Sequence, residues 1–194
     1  MTAITPPPVV LSQLGRAAHD LGLAGLLGGN LFGRFALHPA VAGLSDPRER
    51  GEVVNAAWSR YGTVNSLGLV AVTAGWAGAR AGEAADRQLS DEERALARAK
   101  DALVATVVVS GVVTAIEGIR FARQAPDGAV PLADGSHPAP DTPAPAARLK
   151  RRLNVLGGVG LAAEVGLVAV NAALAQAGFR RPPARRVLGR RLRS

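Results

Sequence analysis

The chain has 194 residues, room for one domain, and a net charge of +8 from 23 Lys and Arg against 15 Asp and Glu. Cysteine is absent, which excludes disulfides, thiolate metal sites and thiol nucleophiles. Aromatics make up only 4% of the residues, and charges crowd between long apolar runs, a pattern that suits a bilayer better than a soluble core.

The N-terminal "MTAITPPPVV" has no basic stretch followed by a compact apolar run and a small-residue cleavage site. A cleaved signal peptide is therefore not expected, and the first apolar helix is read as an uncleaved insertion signal. A hydrocarbon core needs about 20 mostly apolar helical residues, and four segments approach that length, near 12–36, 56–80, 101–122 and 153–179. The expected fold class is all-α: a polytopic membrane protein with a four-transmembrane-helix bundle as a single domain over 1–179.

In the first segment "LGLAGLLGGNLFG" lies between Asp20 and Arg34, too short a run to span by itself, so the flanking charges should reach the membrane boundary. The second segment is introduced by Asp46, Pro47 and Glu49, which read as an N-cap, a first-turn proline and a capping-box acid. A helix from there to Arg80 would measure roughly 50 Å, longer than the hydrocarbon, so its first three turns are expected either to lie in the interface or to bend near Gly51 or Gly62. Ser90 and Glu93 repeat the capping-box spacing, so an exposed helix should run straight into "ALVATVVVSGVVTAIEGI". The stretch of about 124–147 is rich in proline and small polar residues and is expected to be disordered.

The fourth segment, "LNVLGGVGLAAEVGLVAVNAALAQAGF", carries one formal charge, Glu164, near its centre. An ionisable group there costs about 2.5–3.5 kcal/mol on insertion scales, and no cation lies at the same depth. A carboxyl with no countercharge is cheapest to bury as the neutral acid, which makes hydroxyls its expected partners. Thr106, Ser110, Thr114 and Glu117 fall on one face of the third helix, and Asn154, Glu164 and Asn171 on one stripe of the fourth. Turning these faces together makes Glu164, Ser110, Thr106, Thr114 and Asn171 the candidates for an intramembrane proton or hydrogen-bond site. A second candidate site, for a small amphipathic ligand at the outer end, comprises Trp58, Tyr61, Asn65, Asn30, Arg34, Asn154 and Glu117.

Glycines at 25, 29 and 33 and small residues at 71, 75 and 79 and at 158, 162 and 166 recur every four residues, which allows close helix packing in lipid. The three histidines are too far apart in sequence and depth for a shared metal or haem, and "GGVG" lacks the lysine and strand of a phosphate-binding loop. No metal and no cofactor are expected, and the sequence identifies no catalytic residue. The ending 180–194 has seven arginines and no acid; beside a membrane helix this reads as a basic cytoplasmic tail attracted to anionic lipid, not as a nucleic-acid site. Counting Lys and Arg on the two sides favours cytoplasmic N- and C-termini by thirteen to ten, in a plasma (inner) membrane of a bacterium.

The stretches "GLLGGNLFGRFALHPAV" and "NAAWSRYGTVNSLGLV" resemble small bacterial four-helix membrane families, the anthrone-oxygenase-like family among them, with its Gly-rich first span followed by a proline. The resemblance covers the first part of the chain, implies four helices and carries over no active residue. The expected function is a noncatalytic binding or scaffold subunit, with a membrane protein or a second copy as partner. The alternatives are a proton-coupled small-molecule transporter using Glu164, and a membrane enzyme acting on a lipophilic substrate.

Overall fold

The computed structural model describes residues 8–179, with side-chain surroundings for 13–178. Four long helices dominate it: α1 (Pro8–Phe32), α2 (Pro47–Ala81), α3 (Asp91–Ala122) and α4 (Ala144–Phe179). No strand occurs among the described residues. Packing is most extensive within the pairs α1–α2 and α3–α4, while α2–α3 and α1–α4 make sparser seams, so the order around the bundle is α1, α2, α3, α4. Two helices, α3 and α4, are long and apolar enough to cross a membrane. The apolar runs of the other pair are interrupted by polar residues, Arg16, Asp20 and Asn30 in α1 and Asn65, Ser66 and Thr73 in α2.

The helix starts follow their caps. Asp46 accepts from Arg48 N–H at 2.9 Å ahead of Pro47, and Ser90 and Glu93 form a reciprocal capping box. Helix α2 then runs as one continuous α-helix through Gly51 and Gly62. At its other end α1 passes into a single π turn, Gly33–Leu37, where His38 N–H reaches Gly33 C=O. Pro39 follows at once; its missing N–H and bulky ring cannot continue a regular α ladder, and a π turn is a common way to absorb the misfit.

The Pro-rich segment corrects the expectation of disorder. Leu132 and Val130 are fully buried in it, in a cluster with Val41, Val54, Phe121 and Ala146. Its backbone is tied down as well: Leu132 N–H donates to Pro47 C=O at 2.9 Å and Gly135 N–H to His38 C=O at 2.9 Å. Arg50 holds it from α2, donating to the carbonyls of Leu44 at 2.6 Å and Ala133 at 2.9 Å. Composition misled because proline, while barring a helix, also lowers the entropy of ordering a loop; two or three well-placed apolar residues then suffice to seat it. Helix α4 consequently begins at Ala144, two turns before the expected segment. The basic tail lies outside the described residues.

The larger core cluster, with Leu23, Leu26, Val72, Trp76, Val104, Val107 and Leu167, fills the half of the bundle remote from that cap. Helices α1 and α2 approach so closely there that a Cβ on Gly75 would strike the Gly15 carbonyl oxygen. Outside the core, large apolar residues face outward on every long helix, among them Leu21, Leu67, Val109 and Val155.

Candidate functional site

The seam between α1 and α4 carries two acid–amide rungs. Asn30 Nδ2 on α1 donates to Glu164 Oε1 on α4 at 2.7 Å. One level away the chemistry is exchanged: Asn171 Nδ2 on α4 reaches Asp20 Oδ1 on α1 at 3.3 Å. Glu164 is 3% exposed and packed between helices, and its Oε2, like Asn171 Oδ1, has no hydrogen-bond partner among the described residues.

This corrects the expected partners of Glu164. Ser110 Oγ donates back to the Thr106 carbonyl of its own helix at 2.7 Å, and Thr106 Oγ1 to the Ala102 carbonyl at 2.8 Å. A helical hydroxyl is short and has a carbonyl four residues earlier within reach, whereas an asparagine can extend across a seam. Ser110 does sit opposite Gly160, close enough to touch a Cβ placed there, so it contributes to α3–α4 packing. Thr114 is half-buried on α3.

The outer-end candidates separate into several contacts. Trp58 lies over Gly33 and donates from Nε1 to His38 Nε2 at 3.1 Å. Tyr61 meets Trp58 edge-on at 6.4 Å and donates to the Gly25 carbonyl at 2.7 Å. Asn65 is half-buried one turn further along α2. Asn154 donates to the Ser136 carbonyl in the cap at 2.6 Å, Asn30 belongs to Glu164, and Arg34 is exposed with its guanidinium near Gly158. Glu117 pairs with Arg120 at 3.0 Å on the far side of α3, where it lines an open cavity of about 480 Å³ with Val113, Arg151, Arg152, Val155 and Leu156.

His38 is the residue that organises the cap, and sequence reasoning missed it. Its Nε2 accepts from an indole that can only donate, so the ring is neutral and its Nδ1 is left to donate to Ser136 Oγ at 3.1 Å. Burial pushes His38 down to about 4; the Lys150 charge adds to this, and Asp134 opposes it. Burial works to raise the Asp134 carboxyl, but hydrogen bonds from the His137 ring and from the Ser136 and His137 backbone hold it below the usual carboxylate range.

Both lysines are also buried, each against an aromatic ring: Lys100 lies 4.2 Å from the Trp76 ring centre and Lys150 5.7 Å from that of Phe121. The signal was present in composition, since a chain that otherwise uses arginine for every basic position keeps lysine at these two. The Lys100 end of the bundle is rich in polar links. Trp76 Nε1 donates to Asp101 at 2.7 Å, Arg80 pairs with Asp86 and Asp101, and Arg16 pairs with Glu83, not with Asp20. The Arg80 guanidinium holds the exposed Asp86 carboxyl below its ordinary value, outweighing a small opposing effect of desolvation.

No protein-family model matches the chain, and no curated protein or solved structure matches it significantly. Among the described residues no group of three or more His, Asp or Glu side chains is arranged to hold a metal ion.

Proposed function

We propose that this chain is a four-span integral membrane protein of the bacterial plasma membrane, a noncatalytic bundle that binds or scaffolds a membrane partner, a second copy of itself included. One observation carries the membrane reading: all four long helices turn large apolar residues outward, while Glu164, Lys100, Lys150, His19 and Glu117 are buried inside. In water these outward side chains would lie against solvent on every long helix; in lipid the arrangement is the one expected of polar groups confined to the bundle interior. The burial of Glu164 and its bond to Asn30 across two helices support a packing role and hence the scaffold reading over chemistry. The thirteen-to-ten distribution of basic residues supports cytoplasmic termini, with the basic tail against anionic lipid.

Because the chain has no cysteine, single cysteines report topology cleanly. In sealed vesicles, cysteines at Leu21, Val70, Val109 and Val165 should resist a membrane-impermeant maleimide, while those at Asp86 and Asp134 should react from opposite sides. Rapid labelling at Val70 or Val109 would overturn the membrane reading. The scaffold reading requires a stable complex or oligomer in native membranes; a strictly monomeric chain without a stoichiometric partner would sink it.

The proton-coupled transporter is kept as a second reading on one observation, the unpartnered buried Oε2 of Glu164 on a seam that also carries Asp20, Asn30 and Asn171. It requires a pH gradient to drive solute flux in proteoliposomes, with the flux abolished in Glu164→Gln.

A further inference from the structure

The open cavity between α3 and α4 combines two chemistries. Its floor is apolar, built by Val113 of α3 and by Val155 and Leu156 of α4. Its rim is cationic: Arg151 and Arg152 line it, are exposed, and have no partner among the described residues, while Glu117 is already neutralised through one oxygen by Arg120. The other oxygen, Glu117 Oε2, is buried and without a hydrogen-bond partner in a side chain about nine-tenths buried. Along α4 the order from rim to floor is Arg151 and Arg152, then Val155 and Leu156 one turn on, then the half-exposed Val159. Over roughly 10 Å of helix the surface thus changes from guanidinium to hydrocarbon, next to one acceptor that lacks a donor.

We propose that this cavity is a binding site for an anionic phospholipid whose headgroup carries a hydroxyl, of the phosphatidylglycerol type. The phosphate diester lies against the Arg151 and Arg152 guanidiniums, matching charge and fork geometry. One acyl chain follows Val113, Val155 and Leu156 down the α3–α4 seam. The headgroup hydroxyl supplies the donor that Glu117 Oε2 lacks. The site uses residues distinct in sequence from the arginine-rich ending 180–194, and it rests on the membrane reading above.

The test uses the full chain, purified in detergent and stripped of lipid, then given phosphatidylglycerol, phosphatidylmethanol or phosphatidylcholine with identical acyl chains. Native mass spectrometry counts the lipid retained. Wild type should hold one phosphatidylglycerol about tenfold or more over phosphatidylcholine, from the charge effect of two arginines. Arg151→Gln/Arg152→Gln should lose that preference, and Val155→Trp, which fills the floor and leaves every charge in place, should lose the bound lipid. Preference for phosphatidylglycerol over phosphatidylmethanol, which has the same charge and no headgroup hydroxyl, should disappear in Glu117→Val. Equal retention of phosphatidylglycerol and phosphatidylcholine by wild type overturns the proposal. So does an undiminished preference in the double arginine variant, the result expected if the tail alone attracts lipid. Either outcome with Val109 still shielded from maleimide overturns the lipid site alone; a reactive Val109 overturns the membrane reading beneath it.

Discussion

Asn30 and Glu164, 134 positions apart in sequence, share a 2.7 Å hydrogen bond that ties the first long helix to the last. Together with its inverted counterpart, Asn171 to Asp20, it closes the ring of four helices at its sparser α1–α4 seam. On the membrane reading proposed above, interhelical hydrogen bonds of this kind contribute about 0.6–2 kcal/mol each. A double-mutant cycle of Asn30→Ala and Glu164→Ala should therefore show a coupling of that size in unfolding from mixed micelles. Glu164→Gln should retain most of the stability, because an amide also accepts from Asn30. Strict additivity of the two alanine variants would mean the bond does no structural work.

The two lysines give a prediction that runs against conservative substitution. Lys100 and Lys150 are each at most 6% exposed and each face an aromatic ring. Arginine keeps the charge but brings a larger planar head that cannot be deprotonated. Overpacking of this kind costs about 1–3 kcal/mol, so Lys100→Arg and Lys150→Arg should each unfold earlier than wild type. Methionine fits the stem and removes a costly buried charge, so the Met variants should lose less. Arg98→Lys, at a site 68% exposed, should change stability by under about 0.5 kcal/mol. Thermal unfolding that ranks arginine above methionine at both lysines would contradict the packing argument.

The long helices were legible in the sequence because their signals are local. Asp46–Pro47 and Ser90–Glu93 are start signals within four residues; the second is used as read, and in the first Asp46 caps the Arg48 N–H ahead of Pro47 without the expected Glu49 capping box. The side-chain partners were not legible, because each depends on which faces meet. Depth matching set Glu164 level with Ser110; Ser110 faces Gly160, one turn before Glu164, yet it satisfies itself on its own helix while Asn30 arrives from α1. The cap was hidden for a related reason: Val130 and Leu132 are isolated apolar residues in a polar stretch, and only the carbonyls and guanidinium they meet across more than eighty positions, Arg50 among them, make the segment ordered.

Neighbouring glycines in α1 provide an internal control for close packing. A Cβ at Gly29 would collide with the Tyr61 ring, whereas one at Gly28 meets nothing within 4 Å. Gly29→Ala should displace Tyr61, break its bond to the Gly25 carbonyl and cost about 1–3 kcal/mol. Gly28→Ala removes a flexible residue from an open helix surface and should be neutral or gain up to about 1 kcal/mol. Equal effects of the two variants on unfolding would show that Tyr61 does not seat against α1 in this way.

His38 makes the cap sensitive to acid, with a definite sign. In the folded chain its Nε2 must remain unprotonated to accept from Trp58, and burial holds the ring at about 4, below its ordinary 6.5. Between those values the unfolded chain binds the proton and the folded chain does not. The contribution is therefore fully present above about pH 6.5 and is lost as pH falls through the window toward 4. Protonation would also set one N–H against another, releasing Trp58 from the cap. Other groups titrate over this range, so the measurement is a difference: unfolding of wild type against His38→Gln at pH 7.5 and pH 4.5, both with Trp76→Phe so that Trp58 fluorescence reports the cap alone. Wild type should lose more stability on acidification than His38→Gln, and its Trp58 emission should shift while the variant's stays constant. A wild-type to variant difference that does not change with pH would show that the His38 proton is not linked to folding of the cap.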